Sequence, residues 1–268
     1  MRVGNREFAD NKTYVMGILN VTPDSFSDGG RFVTMDKVIE RANQMAQEGA
    51  AIIDVGGEST RPGYTMISAE EEISRVVPAI EAIKQRIDIP VSIDTYKSSV
   101  AEAAICAGAD MVNDIWGLQY DTKMAKTIKQ YDVSVALTHN KNKSTYNVFK
   151  EDVIEEMKAI AKAAVDSGID PEKIVIDPGV GFAKSTEQNL LVVKMLKEFV
   201  EIGYPVLLGT SRKSFIGNTL SLPVDSRLEG TLATTAVAVN SNVRFVRVHD
   251  VKENVRLINM LQSIREAK

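Results

Sequence analysis

Met16-Gly-Ile-Leu-Asn-Val-Thr-Pro-Asp-Ser-Phe-Ser-Asp-Gly-Gly30 is a strand that stops and a loop that begins. Tyr14, Val15, Met16, Ile18 and Leu19 make a short apolar run that ends abruptly at Asn20. A run of that length closed by turn residues suits a strand buried on both faces, as in a parallel sheet. Thr22-Pro23 then demands extended or turn backbone. Asp24, Ser25, Ser27 and Asp28 supply acceptors, and Gly29-Gly30 permits positive φ. The loop exceeds the roughly two to six residues usual between a strand and its helix, and Phe26 at its centre would stand exposed unless it covers something. Polar groups held at the carboxyl end of a buried strand lie where open α/β sheets and barrels place their ligands.

The same unit recurs along the chain: apolar run, polar loop, amphipathic helix, often a closing glycine. Further strands are predicted at 51–55, 91–94, 111–113, 133–138, 174–177, 205–209 and 245–248. Helices are predicted at about 35–48, 68–86, 97–107, 121–131, 150–167, from 185, about 226–240 and about 251–266. Ser68-x-x-Glu71 and Ser185-x-x-Gln188 read as capping boxes. The segments 48–54, 107–113 and 167–177 echo one another, each with a helix-stop glycine, a strand and a terminal Asp or Asn. Strict alternation implies a parallel sheet, and eight units without a linker imply an α/β fold of one domain over residues 1–268, a closed (β/α)8 TIM barrel. Residues 1–13, with a Gly4-Asn5 turn, suit a short N-terminal hairpin. An open doubly wound sheet is the alternative, but no Gly-x-Gly-x-x-Gly follows the first strand.

The chain has 268 residues, 44% hydrophobic and 25% charged, with a net charge of −4. That balance argues against a broad nucleic-acid surface, so an anionic ligand needs a local group of Arg and Lys. The single cysteine, Cys106, precludes an internal disulfide and fits a reducing, cytoplasmic setting. Beside Ala107-Gly108 it reads as a buried structural thiol. No apolar run reaches the roughly 18 residues of a membrane span, and the first residues lack the apolar core of a signal peptide. Gly230 to Val239 carries no charge on any side. Outer barrel helices need one wet face, so a subunit interface and a homodimer are expected there.

The strand ends carry the chemistry. In order they finish on Asn20, Asp54, Asp94, Asn113 with Asp114, His139 with Asn140, Asp177, Ser211-Arg212-Lys213, and Arg247 with His249. A barrel points all of these at one mouth. One strand-end Asp is commonly a helix N-cap, but polar groups on every strand exceed what capping needs. Asp94, Asn113 and Asp177 suit a flat heterocycle with adjacent donors and acceptors. Arg61, Arg212, Lys213, Arg247 and His249 offer charge for an anionic leaving group or phosphate. Asp54, set deeper, would orient its neighbours. Two histidines make a zinc centre unlooked for, whereas Mg²⁺ bridging a diphosphate to Asn20 needs only oxygen ligands.

The stretch from Gly17 to Gly30 resembles the signature loop of the dihydropteroate synthase family of pterin-binding enzymes. Asp54 to Gly63, Asp177 to Lys184, Gly209 to Ser214 and Arg247 to His249 are similar to the family's other landmarks, so the likeness runs from residue 14 to 268. It implies condensation of 6-hydroxymethyl-7,8-dihydropterin diphosphate with p-aminobenzoate, a step of folate biosynthesis that releases diphosphate. By the same resemblance Asp94, Asn113, Asp177 and Lys213 bind the pterin. Thr60, Arg61, Pro62, Phe182, Lys213 and Ser214 surround p-aminobenzoate. Asn20 ligates Mg²⁺, and Asn20, Arg61, Arg247 and His249 hold the diphosphate. Phe26, Ser27 and Asp28 lie on a loop that closes over the site, and Asp94, Lys213, Arg247, His249 and Asp28 carry the chemistry. The family usually has Met before the His-Asn of the fifth strand, lining the pterin pocket; Thr138 stands there instead. A methyltetrahydrofolate-binding methyltransferase barrel and a non-catalytic pterin-binding module are the rival readings. Lys213, Arg247 and His249, with Thr60-Arg-Pro-Gly63, favour the synthase over the methyltransferase.

Overall fold

The computed structural model describes residues 1–22, 35–58 and 66–267. Its first two strands, β1 (Arg2–Val3) and β2 (Arg6–Glu7), form an antiparallel hairpin. Then come β3 (Tyr14–Asn20), α1 (Met35–Glu48), β4 (Ile52–Gly56), α2 (Ala69–Lys84), β5 (Val91–Asp94), α3 (Ser98–Cys106), β6 (Met111–Asp114), α4 (Met124–Tyr131), β7 (Ser134–Thr138) and α5 (Phe149–Asp166). The chain continues with β8 (Ile174–Asp177), α6 (Thr186–Lys194), α7 (Leu196–Val200), β9 (Leu207–Leu208), α8 (Ser214–Leu220), α9 (Leu228–Asn240), β10 (Phe245–Val248) and α10 (Val251–Glu266).

The eight strands β3 to β10 pair in parallel in the order β8-β7-β6-β5-β4-β3-β10-β9. The remaining seam is bridged where Ile176 pairs with Val206 and donates its N–H to the Pro205 carbonyl at 2.9 Å. The expected (β/α)8 barrel and N-terminal hairpin are therefore both present. Strand β9 is short because Pro205, just before it, has no N–H to give a ladder.

Side-chain parity places the chemistry. Met16, Ile52, Met111, Ala136, Val175, Leu207 and Phe245 pack together inside the barrel, while Val15, Ile53, Val112, Val135 and Ile174 pack outward under the helices. Side chains alternate along a strand. Two residues beyond the inner set therefore stand Ile18, Asp54, Asn113, Thr138, Asp177, Gly209 and Arg247, all facing inward at the carboxyl end. Asp94 joins them, since it pairs with Asn113 in register.

The hairpin stoppers the other end. Phe8 stands edge-on to Tyr14 at 5.0 Å and to Phe245 at 5.1 Å. The Ser134 hydroxyl donates to the Arg2 carbonyl at 3.0 Å, and Arg244 donates to the Phe8 carbonyl at 3.0 Å.

Several local readings need correction. The capping box at Ser185 is complete, but at Ser68 only half forms: Ser68 accepts from Glu71 N–H at 3.1 Å while the Glu71 carboxylate pairs with Arg75. Helix α4 begins at Met124, not near 121, because Asp121 turns its carboxylate to the N–H groups of Ser98 and Lys123. The helix from 185 breaks at Met195 into α6 and α7, and α8 is a further short helix between β9 and α9. Cys106 is exposed, its Sγ 3.7 Å from the Tyr131 hydroxyl, and is not a buried thiol. Among the described residues no helix is long and apolar enough to cross a membrane.

Candidate active site

Arg247 is the hub of the mouth. From β10 its Nε donates to Asp54 Oδ2 at 2.6 Å and its Nη2 to Asp94 Oδ2 at 2.5 Å. Asn113 Nδ2 donates to the same Asp54 oxygen at 3.2 Å. Asp54, fully buried, thus holds Arg247 and Asn113 in place. The carboxylate demands the amide nitrogen, which fixes the orientation of Asn113. Five inward atoms then have no hydrogen-bond partner among the described residues: Ser92 Oγ one layer down on β5, and Asp54 Oδ1, Asp94 Oδ1, Asn113 Oδ1 and Thr138 Oγ1 at the mouth. A buried polar atom left unpaired costs on the order of 1–3 kcal/mol, and folded proteins avoid it. Four at the mouth mark a surface built to meet hydrogen-bond partners from elsewhere.

Asp177 accepts the Gly179 N–H at 2.8 Å. Lys213 donates to the Val180 carbonyl and holds its ammonium 4.7 Å from the ring centre of half-buried Phe182. The carboxyls of Asp54, Asp94 and Asp177 face the cations of Arg247 and Lys213, so this inner ring has three acids against two bases. Burial pushes the Asp94 carboxyl up to about 7, against the pull of Arg247 and with a push from Asp54. Burial also raises Asp177, while Lys213 opposes it. Lys213 itself is lowered to about 8 by burial, Asp177 pulling the other way. Burial disfavours the Arg247 charge too, but Asp54 and Asp94 outweigh it and the guanidinium stays charged.

The polar strand-end residues do not all reach the mouth. His139 follows inward Thr138 and so points outward. Its Nε2 lies 2.7 Å from Glu156 of α5 and its Nδ1 2.9 Å from Lys184 Nζ. Lys184 also donates to the carbonyls of Gly179 at 3.0 Å, Phe182 at 3.2 Å and His139 at 3.3 Å. His139 and Lys184 therefore bracket the loop 178–184 against β7. Gly179, at φ +70°, passes so close that a Cβ there would collide with the His139 carbonyl. Arg212, grouped with the anion-binding cations, is instead committed to Asp250, with contacts of 3.0 and 2.5 Å.

His249 is set by Ser211. The Ser211 hydroxyl accepts the His249 backbone N–H at 3.1 Å and lies 2.9 Å from Nδ1. A hydroxyl that donates to Nδ1 leaves the proton of a neutral ring on Nε2. The His249 carbonyl accepts from Arg41 at 2.9 Å. Ser214 is exposed at the start of α8, next to Lys213. Asn20 ends β3 half-buried, its Oδ1 beside Gly56 of β4. Phe26, Ser27, Asp28, Thr60, Arg61 and Pro62 lie outside the described residues.

Two lysines carry more than the sequence reading assigned them. Besides Lys184, Lys97 Nζ reaches Glu58 at 2.5 Å, Glu72 at 2.7 Å and the Ile67 carbonyl at 2.9 Å. Tyr96 donates to Glu58 at 3.2 Å. This knot ties the strand end after β4 to α2 and α3. A lysine at a helix N-terminus, where the macrodipole repels it, was the readable signal. Trp116 is half-buried and lies tilted on Tyr120 at 5.9 Å. A separate cleft of about 350 Å³, lined by Lys129, Asp132, Asp170 and Lys173 among others, sits at the amino ends of β7 and β8, away from the mouth.

Comparison with known proteins places this mouth in context. The family model described as pterin binding enzyme matches residues 16–249. The dihydropteroate synthase of Clostridium beijerinckii is 53% identical over 266 residues, covering 98% of this chain and 99% of the relative. The crystal structure of dihydropteroate synthase from Clostridium difficile in the presence of pteroic acid is 49% identical, with a TM-score of 0.92 over 97% of this chain and 98% of that one. The dihydropteroate synthase of Xanthomonas albilineans in complex with 7,8-dihydropteroate is 35% identical, with a TM-score of 0.89 over 97% of this chain and 96% of that one.

Proposed function

This chain belongs to the family of pterin binding enzymes, and from that premise we propose that it joins 6-hydroxymethyl-7,8-dihydropterin diphosphate to p-aminobenzoate, giving 7,8-dihydropteroate and diphosphate. The observation that carries the reading is the inward ring of unpaired polar atoms, set among three acids beside Lys213 and Arg247. The bond from the pterin methylene to the diphosphate oxygen breaks, and the oxygen keeps the electron pair. The methylene becomes cation-like and the p-aminobenzoate amine attacks it, losing a proton as the new C–N bond forms. Asp94 and Asp177 stabilise the developing positive charge; charge stabilisation by preorganised groups in a dry site is commonly the largest catalytic term. Arg247 and His249 take up the charge that leaves with the diphosphate. Asn113 and Asp177 pair with the pterin edge, and Lys213 stands between the pterin and the Phe182 side where p-aminobenzoate enters.

Mg²⁺ fits this donor set in one specific way. Among the described residues no group of three His, Cys, Asp or Glu could cage a metal, but Asn20 offers a hard oxygen at the carboxyl end of β3. A magnesium ion held by Asn20, diphosphate oxygens and water suits that supply, and when bound it would neutralise leaving-group charge. Residues 1–268 act as one domain, because the barrel's strands span Tyr14 to Val248. A homodimer through α9 suits its outer stripe, where Ala233 and Val237 are exposed and neighbouring α10 exposes Met260 and Ile264. Light scattering at working concentration is expected to give twice the 29.4 kDa chain mass; a monomer mass would remove that assignment. A reducing cytoplasm suits an exposed, unpaired Cys106.

The titrating pair sets a pH dependence. Asp94 must be ionised, so kcat/KM for the pterin substrate should rise as pH passes about 7. Lys213 must be charged, so it should fall above about 8. A narrow bell results, with limbs belonging to the coupled site, and Lys213→Arg should lose the alkaline limb. A flat profile between pH 6 and 9 would separate these groups from turnover.

The deciding assay follows diphosphate release from the pterin diphosphate with Mg²⁺, with and without p-aminobenzoate. Release coupled to dihydropteroate formation establishes the synthase. Pterin binding without release would turn the case toward a binding module.

A further inference from the structure

Buried threonines in this chain find partners. Thr13 donates to the Val243 carbonyl at 2.7 Å, Thr231 to the Arg227 carbonyl at 2.9 Å and Thr235 to Asn254 at 2.7 Å. Thr234 donates to the Thr231 carbonyl at 2.7 Å and lies 2.7 Å from Thr210, and the Thr95 hydroxyl accepts the Lys97 N–H at 3.3 Å. Thr138 is the exception among the described threonines: it is 1% exposed and its Oγ1 has no partner, and the other unpaired buried hydroxyl, Ser92 Oγ, lies one layer below the mouth on β5. Valine has nearly the same shape and would lie there without the cost of a buried, unpaired hydroxyl.

The position explains the chemistry. Thr138 follows inward-facing Ala136 by two residues on β7, so it looks into the mouth. It lies in register with Asp177 on β8, while β7 also pairs with β6, which carries Asn113. Asp94, Asn113, Thr138 and Asp177 thus form an arc across the four consecutive strands β5 to β8. The unpaired Asn113 Oδ1 is an amide oxygen and accepts, Asp94 Oδ1 accepts when its carboxyl is ionised, and one hydrogen of the Asn113 amide nitrogen goes to Asp54. A carboxylate at Asp177 likewise only accepts. Thr138 adds a neutral hydroxyl donor to the arc, and a β-branched side chain in a strand is stiff at χ1.

We propose that the Thr138 hydroxyl donates a hydrogen bond to an acceptor on the heterocycle, a ring nitrogen or carbonyl oxygen flanked by the N–H groups that Asn113 and Asp177 receive, and so helps determine which flat ring the mouth takes. The inference rests on the pterin reading given above. A substrate edge that alternates donor and acceptor is matched on both counts, whereas an edge of donors alone gives the hydroxyl hydrogen no acceptor.

Calorimetric titration of the full-length protein with 6-hydroxymethyl-7,8-dihydropterin tests it. Thr138→Val should weaken binding roughly ten- to a hundredfold, leave KM for p-aminobenzoate unchanged, and not lower the melting temperature. Thr138→Ser, which keeps the hydroxyl, should bind within a few-fold of the parent. Thr138→Ala reads the same loss should valine not be accommodated. Equal affinity in the parent and in Thr138→Val overturns the inference and leaves the synthase reading standing. A Thr138→Ser variant as weak as Thr138→Val, with a lowered melting temperature in both, overturns it in favour of packing. A parent protein that binds no pterin sinks both.

Discussion

Asp94→Asn should cut the rate of dihydropteroate formation by on the order of a thousandfold. An amide oxygen can still accept from Arg247 where Asp94 Oδ2 now lies 2.5 Å away, so the barrel should fold. What changes is the other atom. Asp94 Oδ1, an unpaired acceptor facing the mouth, becomes an NH2 group that presents hydrogens to a ring edge expecting an acceptor. The mouth also loses the negative charge that the cation-like methylene needs as diphosphate departs. Pterin affinity should fall less than kcat, because charge develops only in the transition state. Initial-rate assays of diphosphate release, with a melting curve to confirm the fold, read both effects. A kcat near that of the parent would remove Asp94 from the chemistry.

Arg247→Met should damage stability as well as rate. It leaves Asp54 and Asp94, one fully buried and the other 6% exposed, without their shared cation. Breaking a buried pair from one side costs about 3–5 kcal/mol. The loss should depend on pH with a definite sign. Asp94 already sits high, at about 7, and loses the neighbour that pulled it down. A carboxyl whose folded pKa exceeds its unfolded value holds more protons when folded, so stability falls as pH rises through that window. The variant should therefore be least stable near and above neutrality and recover as pH drops toward about 4, near the ordinary carboxyl value. Denaturant melts at several pH values measure this, and Asp94→Asn combined with Arg247→Met should lose less than the sum of the two changes. A pH-independent loss would assign the cost to packing.

Most of the barrel was legible because its signals are local. Apolar runs capped by Asn20, Asp54, Asp94 and Asp177 mark strands, and Ser185-x-x-Gln188 marks a helix start that forms as read. Parity was not legible. A strand buried on both faces is apolar throughout, so nothing in Val133 to Asn140 tells which of Thr138 and His139 looks inward. The structure turns Thr138 in and sends His139 out to Glu156 and Lys184. Pairings across long sequence distances were equally hidden. Arg212 looked available for an anion until Asp250, 38 residues on, came beside it. The exposed face of Cys106 depended on where α3 settled, which its own sequence does not state.

The web around Arg247 also has a history in time. Asp94 and Arg247 are separated by 153 residues of chain, and Arg247 sits in the last strand. At synthesis rates of roughly 5–20 residues per second, the ribosome makes the two acids on the order of ten seconds before their common counter-ion. Until β10 is made, Asp54 and Asp94 have no Arg247 to pair with, and burying either carboxylate alone costs more than leaving it in water.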